Sequence, residues 1–176
     1  FKTSSAEIKE GETITIDGNV AATLRGTINA DTLIGDDGAD TIEGRAGADT
    51  LTGGNRQDTF VFTTGDTGIT EAEADTITDF VSGNDLLDLA SIVDGNIGTY
   101  VEVNGAANNF TAFTTNATAS FTGSAIDIYV EYNLNGSGNT YLAVDENSSG
   151  DISAGDTLII LSGLSGADAV DSSDFI

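Results

Sequence analysis

The chain has 176 residues, with 29 acidic side chains against five basic ones and no histidine, for a formal charge of −24. That length allows one domain or two small ones, and the charge repels nucleic acid and anionic membrane surfaces and opposes compaction unless cations offset it. Cysteine and methionine are also absent, which excludes disulfides, Cys/His zinc sites, and Ser-His-Asp or Cys-His catalysis.

Oxygen is therefore the plentiful ligand type, and a hard cation such as Ca²⁺ is the partner to test first. The alternative is a generic solvating acidity, as in halophilic proteins, and the placement of the acids decides between them. No apolar run reaches the ~20 residues that span a bilayer, and the N-terminus has no signal-peptide pattern. The missing initiator methionine marks a processed product or a piece of a longer protein.

Residues 1–25 read as an N-terminal strand and a degenerate capping repeat, DGNVAATLR, which has Ala22 where later rows have aspartate. From Gly26 the chain falls into rows of nine: GTINADTLI, GDDGADTIE, GRAGADTLT and GGNRQDTFV. Glycine opens each row (Gly26, Gly35, Gly44, Gly53). The sixth column is Asp31, Asp40, Asp49 and Asp58, the seventh is threonine, and the eighth is Leu33, Ile42, Leu51 and Phe60. A three-residue strand points one side chain inward and its neighbours outward, so the eighth column predicts a thin stacked core. The glycine-rich half of each row must reverse the chain, which favours positive φ. Two rows make one coil, placing Asp31 above Asp49 and Asp40 above Asp58. Such stacked carboxylates repel unless a cation lies between them, with glycine-turn carbonyls as further ligands.

This is the nonapeptide pattern G-G-x-G-x-D-x-U-x. The stretch resembles the RTX, or haemolysin-type, calcium-binding repeats that form a parallel β-roll. The fourth-column glycine is present as Gly38 and Gly47, while Asn29 and Arg56 replace it in the outer rows. A metal-free solenoid is the structural alternative. The resemblance implies a roll over residues 26–62 and a roll-closing acidic segment over 63–90. That segment carries the D-x-I-x-D-F…G-x-D run that follows the roll in serralysin-type proteins. Asp75, Asp79 and Asp85 match its further ligand positions, and an acidic solvent-facing turn is the alternative.

Residues 91–176 read as a C-terminal β region, antiparallel and packed beyond the roll. TYVEV, NFTAF, AIDIYVEYNL and TYLAV give short strands between Asn/Gly turns. The sequons at Asn109 and Asn116 match glycosylation acceptors by pattern only. DENSSGDISAGD, residues 145–156, has the ligand order of an EF-hand loop: Asp145, Asn147 and Ser149, the turn glycine Gly150, the carbonyl of Asp151, then Ser153 and Asp156. Its flanks are strand-like, so a strand–loop–strand calcium loop is expected, with an Asn/Ser/Gly hairpin as the alternative. The final DSSDFI resembles the C-terminal signals of type I-secreted RTX proteins.

The expectation is an all-β protein: a short parallel β-roll followed by antiparallel β-structure with an EF-like loop. It would bind several Ca²⁺ ions, on the order of three to five by ligand count. The function expected is a calcium-binding, non-enzymatic C-terminal module of a secreted bacterial protein, which folds on Ca²⁺ after passing the type I secretion machinery. The alternative is a structural module of a surface-layer protein or adhesin that self-assembles or joins the cell surface. A lectin-like reading of residues 91–143 rests on Tyr100, Phe110 and Phe113.

Overall fold

A computed structural model of the chain describes residues 5–7, 11, 13–92, 100–104, 107, 109–122, 128–132, 136–164 and 170–176. Short strands follow one another close to the nine-residue interval: β1 (Ser5–Glu7), β2 (Thr13–Thr15), β3 (Thr23–Arg25), β4 (Thr32–Ile34), β5 (Thr41–Glu43), β6 (Thr50–Thr52) and β7 (Thr59–Val61). Odd and even strands go to opposite sheets, each parallel to the strand one coil away, in register Thr23↔Thr41, Thr32↔Thr50 and Thr41↔Thr59. Leu24, Leu33, Ile42, Leu51 and Phe60, at the strand centres, are fully buried, so the core between the sheets is one inward side chain deep per strand.

β8 (Asp75–Ile77) pairs with β6 in register Thr50↔Thr76, 26 residues apart where the repeats are 18 apart. Segment 62–74 therefore carries eight residues beyond the repeat, which is why the Asp-Thr-Ile triplet is out of phase in sequence yet in phase in space. β9 (Leu86–Asp88) closes the other sheet on β7. Residues 174–176 continue that sheet through a parallel bridge between Leu87 and Phe175.

The second sheet does not stop with the roll. β13 (Thr157–Leu161) lies parallel to β8, followed outward by β12 (Thr140–Val144), β11 (Ile128–Tyr132) and β10 (Tyr100–Asn104). β11, β12 and β13 pair antiparallel as expected, but the run is tied to the roll by a parallel pair and ends in another, β10 with β11. Its inner face continues the roll's core through Val130, Leu142, Val144, Ile159 and Leu161. Of AIDIYVEYNL, Ile126 and Leu134 lie outside the described residues.

NFTAF is not a strand. It opens the helix α1 (Phe110–Phe121), which Asn109 caps by accepting the Ala112 N–H at 2.9 Å. Phe113, Ala117 and Phe121, four residues apart, form one buried stripe. They pack with Tyr129, Tyr141 and Ile160 on the outer face of the sheet, and Phe113 sits 5.7 Å from the Tyr129 ring and 5.6 Å from the Tyr141 ring. β12 and β13 are thereby buried on both faces. The aromatics offered for a lectin-like face are engaged in packing: Phe113 is fully buried, Phe110 meets Tyr141, and Tyr100 meets Phe175.

Candidate metal centre

The sixth-column aspartates are buried, with 3% or less of each exposed. Asp40, Asp49 and Asp58 each use Oδ1 to accept the backbone N–H of the residue one coil earlier. Ala22 donates to Asp40, Asp31 to Asp49, and Asp40 to Asp58, all at 2.8 Å. Asp49 then donates to Asp75 at 2.8 Å and Asp58 to Asp85 at 3.0 Å. The 62–74 insertion thus leaves the ladder unbroken. The sequence expectation placed carboxylates face to face across a cation. The structure links them through backbone amides, which leaves Oδ2 of Asp40, Asp49 and Asp58, and Oδ1 of Asp31, outside the ladder.

Those second oxygens divide into two groups. Asp31 Oδ2 accepts the Thr27 N–H and hydroxyl at 2.6 and 2.8 Å, Asp40 Oδ2 the Asp36 N–H at 3.0 Å, and Asp85 Oδ2 the Val81 N–H at 2.9 Å. Oδ2 of Asp49, Asp58 and Asp75 is buried with no hydrogen-bond partner among the described residues, as is Oδ1 of Asp31. A buried unsatisfied polar atom costs about 1–3 kcal/mol, more when charged. Burial pushes the Asp49 and Asp58 carboxyls up from 3.8 to about 7, with Asp31 and Asp85 among the neighbouring charges that raise them further. Burial pushes Asp75 up to about 9, reinforced by Asp49 and Asp66.

The first-column glycines are required by close approach, not by the positive φ the sequence suggested. A Cβ on Gly44 or Gly53 would collide with Oδ2 of Asp49 or Asp58, and a Cβ on Gly26 or Gly35 would collide with the carbonyl of Gly44 or Gly53. Carboxylate and carbonyl oxygens together crowd Gly26 and Gly35, and carboxylates crowd Gly44 and Gly53. Fourth-column Gly47, at φ 135°, does take the left-handed side, where a Cβ would strike the Asn29 carbonyl; Gly38 similarly abuts the Val20 carbonyl. Asn29 therefore meets its neighbours through its backbone, while its side chain is exposed. Among the described residues no three acidic side chains converge as a ready-made cage. Any cation held here takes part of its shell from backbone carbonyls, and this oxygen-only donor set fits Ca²⁺.

Asp79 is not a rung of the ladder. Its two oxygens accept the Gly53 and Gly54 N–H groups at 2.9 and 2.8 Å. The loop 145–156 joins β12 to β13 as the expected strand–loop–strand. Asp145 accepts the Ser149 N–H at 3.1 Å and the Gly150 N–H at 2.8 Å, and Asp156 accepts the Ser153 N–H at 2.7 Å and the Asn147 amide at 3.0 Å. Asp151 accepts the Ser149 hydroxyl at 2.6 Å and is exposed. Asp145, Asn147, Ser149, Asp151 and Asp156 are thus gathered into one loop, though both carboxylates of its buried pair already hold backbone amides.

Sequence reasoning missed Asp66 and Asp174. Asp66 is buried in the insertion, accepts the Thr63 N–H at 2.7 Å, and has a carboxyl raised by burial. Asp174 is fully buried and accepts the Gly83 N–H and the Ser82 hydroxyl, both at 2.7 Å. The available signal for Asp174 was the Asp–Phe–Ile triplet, which matches the Asp–Thr–aliphatic triplets of the rows.

The family profile for the RTX calcium-binding nonapeptide repeat matches residues 25–60 in four copies. A search of the curated proteins finds no match. Among solved structures the fold is similar to the AlgE6R3 subunit of the Azotobacter vinelandii mannuronan C5-epimerase, at 22% identity over 95% of this chain and 83% of that one, with a TM-score of 0.51. It is also similar to the AlgE6R2 subunit of that epimerase, at 24% identity over 90% and 92%, with a TM-score of 0.50. At those identities the likeness concerns the fold alone. Residues 25–60 of this chain are therefore RTX calcium-binding nonapeptide repeats, built into a parallel β-roll that continues into a mixed sheet.

Proposed function

We propose that this chain is a calcium-dependent folding module of a secreted bacterial protein, ordered by Ca²⁺ after export by a type I route. The observation that carries the reading is the set of partnerless oxygens on Asp49, Asp58 and Asp75, fully buried in a chain of formal charge −24. Ca²⁺ bound beside them supplies the positive charge that burial otherwise withholds. Asp49 and Asp58 are held by Oδ1 with Oδ2 against Gly44 and Gly53, whose carbonyls in turn crowd Gly26 and Gly35 one coil earlier. Residues 145–156 form a further candidate loop, with Asp145 and Asp156 as its buried acids.

The mechanism is linkage: an ion that binds the folded state and not the unfolded one adds its binding free energy to stability. Where free Ca²⁺ is scarce, repulsion keeps the repeats open and the chain exportable; where it is abundant, the roll closes. The catalytic work of a parent protein then lies outside these residues, since the acids at regular positions are committed to the ladder. Far-UV circular dichroism during a Ca²⁺ titration of chelator-treated protein tests the reading, with Mg²⁺ and NaCl as controls. A cooperative gain of β-signal specific to Ca²⁺ is expected. A β-signal already complete in chelator, or restored equally by NaCl, would overturn it. A monomer in Ca²⁺ agrees with an export module, whereas large ordered assemblies would favour the surface-layer reading.

A further inference from the structure

The roll has two loop faces, and they are not electrically alike. One carries loops 26–31 and 44–49, the other loops 35–40 and 53–58. The second face holds Asp36, Asp37, Asp40 and Asp58, and Asp79 from the closing segment caps its Gly53. The first face holds Asp31 and Asp49, continued by Asp75 as Asp85 continues the second. It also holds Arg45, whose Nη1 donates to the Gly26 carbonyl across one coil at 3.2 Å. Glu43 steadies that side chain, 3.6 Å from its Nε, and itself pairs with Arg25 at 2.8 Å.

Backbone geometry points the same way. Arg45 occupies the second column at φ 67°, a left-handed conformation that side chains rarely adopt and that Gly54 takes in the same column one row later. Glycine would fit there without strain, so the arginine carries a local backbone cost. On the opposite face Arg56 also has positive φ but is exposed, where solvent and salt screen its charge.

We propose that the Arg45 guanidinium is a fixed counter-charge that lowers the calcium affinity of the 26–31/44–49 face below that of the 35–40/53–58 face, so the two faces load in order. It engages one first-column carbonyl and places a positive charge in the loop a divalent cation must enter. This rests on the reading that the glycine gaps hold Ca²⁺. Arg45 is a positioning residue here, acting on affinity through charge.

The test is a Ca²⁺ titration of the full chain followed by amide NMR, which reads the two faces separately, for wild type, Arg45→Gly and Arg45→Gln. In wild type the amides of 35–40 and 53–58 should saturate first. Both variants should tighten the 26–31/44–49 face by about tenfold, the scale expected of one partly screened charge, and leave the other face unchanged. Equal midpoints for both faces in wild type would overturn the proposal. So would an Arg45→Gln variant that behaves like wild type, because the glutamine keeps a donor and loses only the charge. If no variant takes up Ca²⁺ on either face, the calcium reading itself falls, and this inference with it.

Discussion

The roll and the sheet that extends it solve the problem of burial in opposite ways. In the roll each strand buries one side chain, and the loops bury aspartates. In β11–β13 nearly every side chain is buried, between the common core on one face and α1 on the other. Apolar burial contributes roughly 25 cal/mol per Å², so the extended sheet carries its own driving force. In the reading proposed above, the roll, with its thin core and buried aspartates, draws its stability from a bound cation. Length of strand and number of buried faces are what separate the two regions.

The largest expected effect that separates the regions is Phe113→Ala. Removing a fully buried ring shared with Tyr129 and Tyr141 should cost about 3–5 kcal/mol of stability with or without Ca²⁺. Thermal unfolding in both conditions checks this, and a loss confined to the Ca²⁺-loaded state would break the comparison. Asp58→Ala should do the reverse. It removes the acceptor of the Asp40 N–H and one partnerless oxygen, costing about 2–3 kcal/mol in Ca²⁺ and much less in chelator.

A pH series sharpens the contrast. The folded-state values of Asp49, Asp58 and Asp75 lie above the ordinary 3.8, at about 7, 7 and 9. Their contribution to the ion-free fold is therefore fully present below pH 4 and is lost as pH rises through 7 to 9. Acidification should increase β-signal in chelator. Calcium affinity should move the other way, because the ligands must be ionised. A smaller effect belongs to the joint between the regions, where Thr67 Oγ1 accepts the buried Leu158 N–H at 2.8 Å. Thr67→Val should cost about 1–2 kcal/mol in denaturant unfolding and leave calcium uptake intact.

The roll was legible in the sequence because its repeats pair in register 18 residues apart, and the period writes itself into the columns. At β8 the period alone fails, since eight extra residues break the phase; the resemblance points to Asp75, and the ladder from Asp49 to Asp75 survives in space. The helix was missed because NFTAF looks like a strand in a five-residue window. The Asn109 cap and the 113/117/121 spacing appear only over twelve. Asp174 was read as part of an export signal, and its place beside Gly83 depends on a chain reversal some ninety residues long. The aspartate column was legible as a column, but the contacts between its members were not: backbone amides, which carry no sequence signature, intervene between them.

Hydrogen exchange of the full chain in Ca²⁺ and in chelator tests the central claim most directly. The account predicts that amides of residues 22–62 are protected only when Ca²⁺ is present, while those of β11–β13 are protected in both. Equal protection of the repeat amides in chelator would contradict it, because the buried carboxylates would then be tolerated without a cation.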